Sequence, residues 1–179
     1  MKKNIIFVIL IIFLINIPPV FSSEEESLYQ NALDSFDNEL FDLSYNQFKR
    51  YLLSYPDGKQ ADSSQYYMAE SLFGMEKYKE AAALYENGCR IYPNSDIADK
   101  FIFRIAECRF KLGHFADAQV YYQKVMTQFP KSSLISAAQY WIGECLFQKK
   151  EFDEAEKSYV RLLEIYPQSE YSSFTQYSL

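Results

Sequence analysis

Hydrophobic and polar residues alternate with the period of an α-helix in the middle of the chain. The apolar positions before Gly113 share one face at helical spacing and are Ile102, Ile105, Ala106 and Leu112. A second periodic run follows the turn at Gly113 and His114, with apolar positions Phe115, Ala118, Tyr122 and Val125. Pro130 ends this run because proline lacks an amide hydrogen and disfavours a helical conformation in the preceding residue. Residues 96–130 therefore predict a helical hairpin, with Ser95 as the N-cap of its first helix.

The same pattern recurs at an interval of 37 residues. The prolines that close the units are Pro56, Pro93, Pro130 and Pro167. Small residues form one column in the first helices, Ala32, Ala69, Ala106 and Gly143, and one in the second helices, Ser44, Ala81, Ala118 and Ala155. Aromatic residues form two further columns, Phe41, Tyr78, Phe115 and Phe152, and Phe48, Tyr85, Tyr122 and Tyr159. Alternating small and large positions lets neighbouring helices interdigitate without voids, so the hairpins are expected to stack.

The order of small residue, aromatic, alanine, aromatic and proline resembles the tetratricopeptide repeat. The resemblance covers residues 25–179 and implies an all-α, right-handed α-solenoid of four helical hairpins and the start of a fifth. The repeats are placed at about 25–58, 59–95, 96–132 and 133–169, with a partial fifth helix at 170–179. The unit is three residues longer than the usual 34. We expect these residues to add nearly one turn to the start of each first helix, after Ser95, Ser132 and Ser169.

Both ends of the chain carry further signals. Lys2 and Lys3 precede an apolar run over residues 5–17, which is shorter than the roughly 20 residues of a membrane-spanning helix. Residues 1–22 are predicted to be a signal peptide and residues 23–179 the solenoid, with an uncleaved membrane anchor as the alternative. At the other end, Ser169, Tyr177 and Leu179 continue the columns of the fourth repeat. Because a solenoid needs a capping element, we expect the chain to be a fragment of a longer protein.

The charge of the chain limits the class of partner. Without Lys2 and Lys3, the chain has 16 basic and 24 acidic residues and a net charge of −8, and no basic cluster is present. Nucleic acid and anionic membrane surfaces attract clustered Lys and Arg, so neither is an expected partner. A neutral or basic protein or peptide fits better, and no stable membrane anchor is expected after leader cleavage.

Candidate catalytic and metal-binding groups are sparse. Cys89, Cys108 and Cys145 show no CxxC spacing and are expected to be buried thiols. His114 is the single histidine and falls in a predicted turn with no evident nucleophile to activate. The sequence therefore predicts a protein that is not an enzyme and has no cofactor or metal.

Candidate partner-binding residues form three columns beside the core face of the first helices. They are Tyr66, Glu70 and Phe73 in the second unit, Phe103, Glu107 and Phe110 in the third, and Tyr140, Glu144 and Phe147 in the fourth. The first unit has Tyr29, Leu33 and Phe36 in these columns. The family resemblance implies that the columns line the concave groove, where aromatic walls and a glutamate row suit a peptide that carries Lys or Arg. The alternative is that the aromatics belong to the core and the glutamates to a solvated face. Arg109 is expected to pair with a neighbouring carboxylate.

The 37-residue unit and the stretch from Tyr140 to Ala155 are also similar to two kinds of envelope protein. These are the periplasmic repeat proteins associated with the Tol-Pal system and the repeat lipoprotein of the outer-membrane β-barrel assembly machine. The resemblance implies an exported scaffold of the cell envelope that binds a partner in its groove. The alternatives are an accessory region of a longer envelope enzyme and a structural or oligomerising module.

Overall fold

The computed structural model describes residues 24–178, and the side chains of residues 24–175. Within this range the chain forms nine α-helices and no strand. The helices of the first two repeats are α1 (Glu24–Asp37), α2 (Phe41–Ser54), α3 (Ala61–Gly74) and α4 (Tyr78–Ile91). The others are α5 (Ala98–Lys111), α6 (Phe115–Gln128), α7 (Ile135–Gln148), α8 (Phe152–Ile165) and α9 (Glu170–Ser178).

The spacing of the helices follows the spacing of the sequence pattern. Each of the first eight helices has 14 residues, and the first helices of the four hairpins begin at residues 24, 61, 98 and 135, which are 37 apart. Each helix packs against its neighbours in the chain. The prediction of an all-α solenoid is confirmed.

The columns of small residues lie where the helices cross. Ala32, Ala69 and Ala106 in the first helices, and Ala81 and Ala118 in the second helices, are all 0% exposed. At the fourth position of the first column, a Cβ on Gly143 would lie 2.3 Å from the ring of Tyr159. The Tyr159 ring therefore packs so closely on Gly143 that no larger side chain fits at this position without rearrangement.

The two helices of each hairpin are joined by a left-handed turn. Glu39, Glu76, Gly113 and Lys150 have φ values of 58°, 60°, 76° and 64°. In the third hairpin, the amide of His114 donates to the carbonyl of Arg109 at 2.9 Å and that of Gly113 to the carbonyl of Phe110 at 2.9 Å. These two bonds define a Schellman motif, which usually favours glycine at the left-handed position. Only the third of the four turns meets that preference.

The connection between hairpins differs from the prediction for Ser95. Helix α5 begins at Ala98, and its N-cap is Ile97, without a side-chain cap. The Ser95 hydroxyl instead accepts from the amide of Ile97 at 3.2 Å and donates to Asp62 Oδ2 at 2.5 Å. Residues 95–97 therefore form a tight turn ahead of the helix, and the Ser95 hydroxyl links this turn to the preceding first helix. Ser132 and Asp99 repeat this bond one unit later, also at 2.5 Å.

Candidate partner-binding surface on the first helices

The nine candidate residues lie along one surface of α3, α5 and α7, which we call the first-helix wall. Their exposure differs from residue to residue. Glu70 and Phe103 are buried, at 7% and 8% exposed, whereas Phe147 is 47% exposed. The remaining six are half-buried: Tyr66, Phe73, Glu107, Phe110, Tyr140 and Glu144. The one exposed residue among the nine, Phe147, therefore lies in the last of the three helices.

Two of the three glutamates of the wall accept hydrogen bonds from buried tyrosines of the second helices. The Tyr159 hydroxyl donates to Glu144 Oε1 at 2.7 Å, and the Tyr85 hydroxyl makes the same bond to Glu70 Oε1. Burial raises the pKa of Tyr85 and of Tyr159, so both hydroxyls stay protonated and can donate. The first unit has Leu33 and Phe48 at these two positions, and neither carries a polar group. The glutamate column thus has a structural function that the periodic pattern did not reveal.

Arg104 forms ion pairs with two of the three glutamates and offsets one of their two negative charges. Its Nη2 lies 2.6 Å from Glu70 Oε2 and its Nη1 lies 2.8 Å from Glu107 Oε2. The guanidinium carbon is 5.0 Å from the centre of the Phe73 ring, and Nε donates to the Tyr66 hydroxyl at 3.3 Å. Burial by itself would lower the pKa of Arg104, but the carboxylates of Glu107 and Glu70 raise it, so the guanidinium stays charged. The predicted glutamate row therefore lacks uniform negative charge.

Sequence reasoning missed Arg104, although the sequence contained one signal. Arg104 lies 37 residues after Tyr67 and 37 before Trp141, so it is a charged residue between two aromatic residues of its column. Such an exception suggests that a charge is compensated locally by residues on a neighbouring unit.

The third hairpin contains a buried hydroxyl without a partner. Tyr122 is 0% exposed, and within the described part of the chain its hydroxyl forms no hydrogen bond. Its counterparts Tyr85 and Tyr159 donate to the glutamate of their own unit, but Glu107 is bound to Arg104 instead. The ion pair therefore replaces the tyrosine bond in this unit.

The structure extends the wall beyond the predicted residues. The ring of Tyr171 on α9 lies 5.2 Å from the ring of Tyr140, and the ring of Phe174 lies 6.4 Å from that of Tyr171. Phe174 is 58% exposed. Tyr171 and Phe174 were not predicted as site residues, because the sequence pattern of the fifth unit is incomplete.

Other groups singled out from the sequence lie away from this surface or carry no evident chemistry. Arg109 pairs with Glu86 at 2.6 Å, which confirms its predicted carboxylate partner. Cys108 and Cys145 are buried free thiols, and burial raises the pKa of each to about 12, which leaves them unreactive near neutral pH. His114 is exposed at the start of α6. Among residues 24–178, no group of three or more His, Cys, Asp or Glu side chains is arranged to hold a metal ion.

None of the described helices is both long enough and apolar enough to cross a lipid bilayer. The predicted signal peptide at residues 1–22 lies outside the described residues.

Comparisons with known proteins identify the repeat. Two tetratricopeptide repeat family models match, one over residues 63–95 and the other over residues 110–176. Together they cover more than half of the 179 residues. No curated protein sequence matches the chain.

Several solved structures share the fold. A tetratricopeptide repeat protein from Parabacteroides merdae ATCC 43184 is 16% identical with a TM-score of 0.70, over 85% of this chain and 57% of its own. The apo form of RapI is 15% identical with a TM-score of 0.75, over 84% of this chain and 45% of its own. MamA AMB-1 is 16% identical with a TM-score of 0.64, over 84% of this chain and 79% of its own. The chain thus spans little more than half of the first protein, and identities this low show a common fold alone.

Proposed function

The chain belongs to the tetratricopeptide repeat family, and from this premise we propose that it is a scaffold that binds a segment of a partner protein along the first-helix wall. Proteins of this family are in general scaffolds for protein–protein interaction and have no catalytic activity of their own. The observation that carries the proposal is the exposed aromatic surface at the C-terminal part of the wall. Phe147, on the same helix as the half-buried Tyr140, is 47% exposed, and Phe174, whose ring lies 6.4 Å from that of the half-buried Tyr171, is 58% exposed. Accessible aromatic side chains are typical anchors of protein interfaces.

The charge of this surface favours a neutral or basic segment. Glu144 lies between the aromatic residues of the fourth unit, and none of the described lysines or arginines forms an ion pair with it. The net charge without Lys2 and Lys3 is −8, which repels acidic partners and accelerates encounter with basic ones. A cationic side chain of the partner would therefore meet Glu144 and an aromatic ring together.

The proposed location is the periplasm or the cell envelope. The support is the predicted signal peptide, with Lys2 and Lys3 before a short apolar run. A contribution to envelope maintenance or outer-membrane assembly rests on the similarity of the 37-residue unit to envelope repeat proteins. Isolation of the mature protein from a periplasmic extract, with its N-terminus determined by mass spectrometry, tests export and leader cleavage together.

The binding function is tested with a variant that removes only exposed aromatic surface. The double variant Phe147→Ala/Phe174→Ala and the wild type are immobilised and exposed to envelope extract, and captured proteins are identified by mass spectrometry. Because truncating an interface anchor typically weakens binding about tenfold or more, at least one wild-type partner should be lost. Leu53→Ala/Val120→Ala is the matched control, since it truncates two exposed apolar residues of the second helices. Identical capture by wild type and both variants would contradict the proposal and favour a structural or oligomerising module.

A further inference from the structure

Three successive first helices, α3, α5 and α7, each place one side chain over an aromatic ring of the preceding unit. The ring of Tyr67 lies 5.2 Å from the ring of Phe36, and the ring of Trp141 lies 5.0 Å from that of Phe110. Between them, the guanidinium carbon of Arg104 lies 5.0 Å from the centre of the Phe73 ring. The three covering residues are 37 apart, and so are the three rings that they cover. The repeat therefore builds a slot in each of the first three units, which the next unit fills.

The slot of the second unit, formed by Tyr66, Glu70 and Phe73, shows how an arginine is held. The guanidinium of Arg104 stacks on Phe73, and its Nε donates to the Tyr66 hydroxyl at 3.3 Å. Its Nη2 donates to Glu70 Oε2 at 2.6 Å, while the other oxygen, Oε1, accepts from Tyr85. One carboxylate oxygen is thus fixed by the second helix, and the other is directed at the arginine.

The slot of the fourth unit, formed by Tyr140, Glu144 and Phe147, has the same three residue types in the same columns. The second helices hold the glutamate and the phenylalanine of both slots through the same kinds of contact. The Tyr159 hydroxyl donates to Glu144 Oε1 at 2.7 Å, as Tyr85 does to Glu70. The Phe147 ring lies 5.4 Å from that of Phe152, as Phe73 lies 5.1 Å from Tyr78. The fourth slot is therefore built like the second.

The difference lies in the covering residue. No described side chain takes the place over Phe147 that Arg104 takes over Phe73, and Phe147 is 47% exposed. The position 37 residues after Trp141 is Ser178, which lies outside the described side chains, and a serine carries neither a guanidinium nor a ring. The third slot is unlike either, because it has Phe103 in place of tyrosine and is covered by Trp141.

We infer that the fourth slot binds an arginine side chain of the partner, in the way that the second slot binds Arg104. The inference rests on the proposed function, since it names the residue that the first-helix wall recognises. Arginine fits better than lysine because its planar guanidinium can stack on Phe147 while it donates to Glu144 and Tyr140. A lysine ammonium is a compact point charge and cannot make the stacked, forked contact.

Blocked single amino acids test the slot without a known partner. N-acetyl-arginine methylamide is titrated into the protein and followed by NMR, with the citrulline analogue as neutral control and the lysine analogue as point-charge control. The arginine compound should shift signals of Tyr140, Glu144 and Phe147, and citrulline should bind about tenfold more weakly because it loses the charge-assisted bond. Equal binding of arginine and citrulline, or no binding of arginine, would overturn the inference.

Two variants test whether the arginine compound binds at the fourth slot. Glu144→Gln, whose amide oxygen can still accept from Tyr159, and Phe147→Ala should each abolish the arginine response while the helical circular dichroism is unchanged. Glu164→Gln removes an exposed carboxylate of α8 and should bind as the wild type does. An arginine response that survives in Glu144→Gln would also overturn the inference.

Selection from a random peptide library on the wild-type protein separates this inference from the proposed function. Selected peptides should be enriched in arginine and should lose binding to Glu144→Gln. Peptides that need Phe147 and Phe174 but contain no arginine would overturn the arginine slot and leave the scaffold function standing. A slot that binds the arginine compound, with no peptide selected on the wall, would overturn the scaffold function alone.

Discussion

Arg104 links two neighbouring repeats through a single side chain. It bonds Glu70 of the preceding first helix and Glu107 of its own helix, at 2.6 Å and 2.8 Å. The side chain of Glu70 is 8% exposed and that of Glu107 is 19% exposed, so water screens both carboxylates weakly. Burial raises the pKa of Glu107 although Arg104 opposes the rise, which shows how much this carboxylate depends on its cation. The stability of the interface between the second and third hairpins is therefore sensitive to one residue.

Replacing Arg104 tests this dependence. Arg104→Met keeps much of the apolar stem but leaves two carboxylates in a poorly solvated site, so we expect a loss of about 2 kcal/mol in the free energy of unfolding. This value lies below that of a fully buried pair because the Arg104 side chain itself is 27% exposed. Urea unfolding followed by circular dichroism measures the change.

The control for this substitution removes the two carboxylates as well. Glu70→Gln/Arg104→Met/Glu107→Gln carries no unpaired charge, and the amide oxygen introduced by Glu70→Gln can still accept from Tyr85, so this variant should recover most of the lost stability. If Arg104→Met unfolds at the same urea concentration as the wild type, the ion pair contributes nothing to the interface.

At the scale of the helices, residue volumes are balanced between α4 and α5. A Cβ on Gly88 would lie 2.3 Å from the ring of Phe101, and Phe101 is 0% exposed. One unit later the same two columns hold Val125 and Ala138, so the large residue is on the opposite helix. The glycine is therefore required by the phenylalanine that faces it, and its backbone flexibility is not the reason for its position.

A double-mutant cycle at this contact tests the balance. Gly88→Val overpacks the interface and should lower the free energy of unfolding by about 2 kcal/mol. Phe101→Ala leaves a cavity and should lower it by about 4 kcal/mol. The double variant has the residue pair found one unit later, and its loss should be smaller than the sum of the single losses by about 2 kcal/mol. For Phe101→Ala combined with Leu162→Ala in the fourth hairpin, the two losses in the free energy of unfolding should instead add, since these sites are distant. Additive losses for Gly88→Val and Phe101→Ala would show that the two positions do not share one space.

At the scale of the whole molecule, the interior is rich in groups that lose a proton only at high pH. Burial raises the pKa of Cys108 and of Cys145 from an ordinary value of 9.0 to about 12, and that of Cys89 to about 11. Burial likewise raises the pKa of the core tyrosines Tyr66, Tyr85, Tyr122 and Tyr159. The folded protein thus holds these protons more tightly than the unfolded chain does.

This difference predicts alkaline instability. The pKa values of these thiols and tyrosines are higher in the folded protein than in the unfolded chain. Their contribution to the free energy of unfolding is therefore complete below about pH 9 and is lost as the pH rises toward about 12. The free energy of unfolding, measured by urea at several pH values, should be level near neutrality and fall steadily through this window. Cys108→Ala/Cys145→Ala removes two of the titrating groups and should give a shallower fall. A slope that is the same in both proteins would show that the thiols do not contribute.

The sequence by itself determined the repeats, the helices and the core. Helical periodicity is a local property, and a 37-residue spacing of small, aromatic and proline residues fixes which face of every helix is buried. It also assigned the nine wall residues to three columns of the first helices. It did not reveal the left-handed turns at Glu39, Glu76 and Lys150, because only Gly113 carries the usual signal there.

Only the tertiary structure decided which side chains of the wall are available. Arg104 reaches Glu70 across 34 residues, and Ser95 reaches Asp62 across 33, so both bonds depend on how one hairpin is oriented on the next. A residue pattern gives the face on which a side chain lies but leaves its rotamer and its partner on the neighbouring unit unspecified. For this reason the glutamate row, uniform in sequence, becomes two carboxylates paired with Arg104 and one, Glu144, beside an exposed aromatic ring.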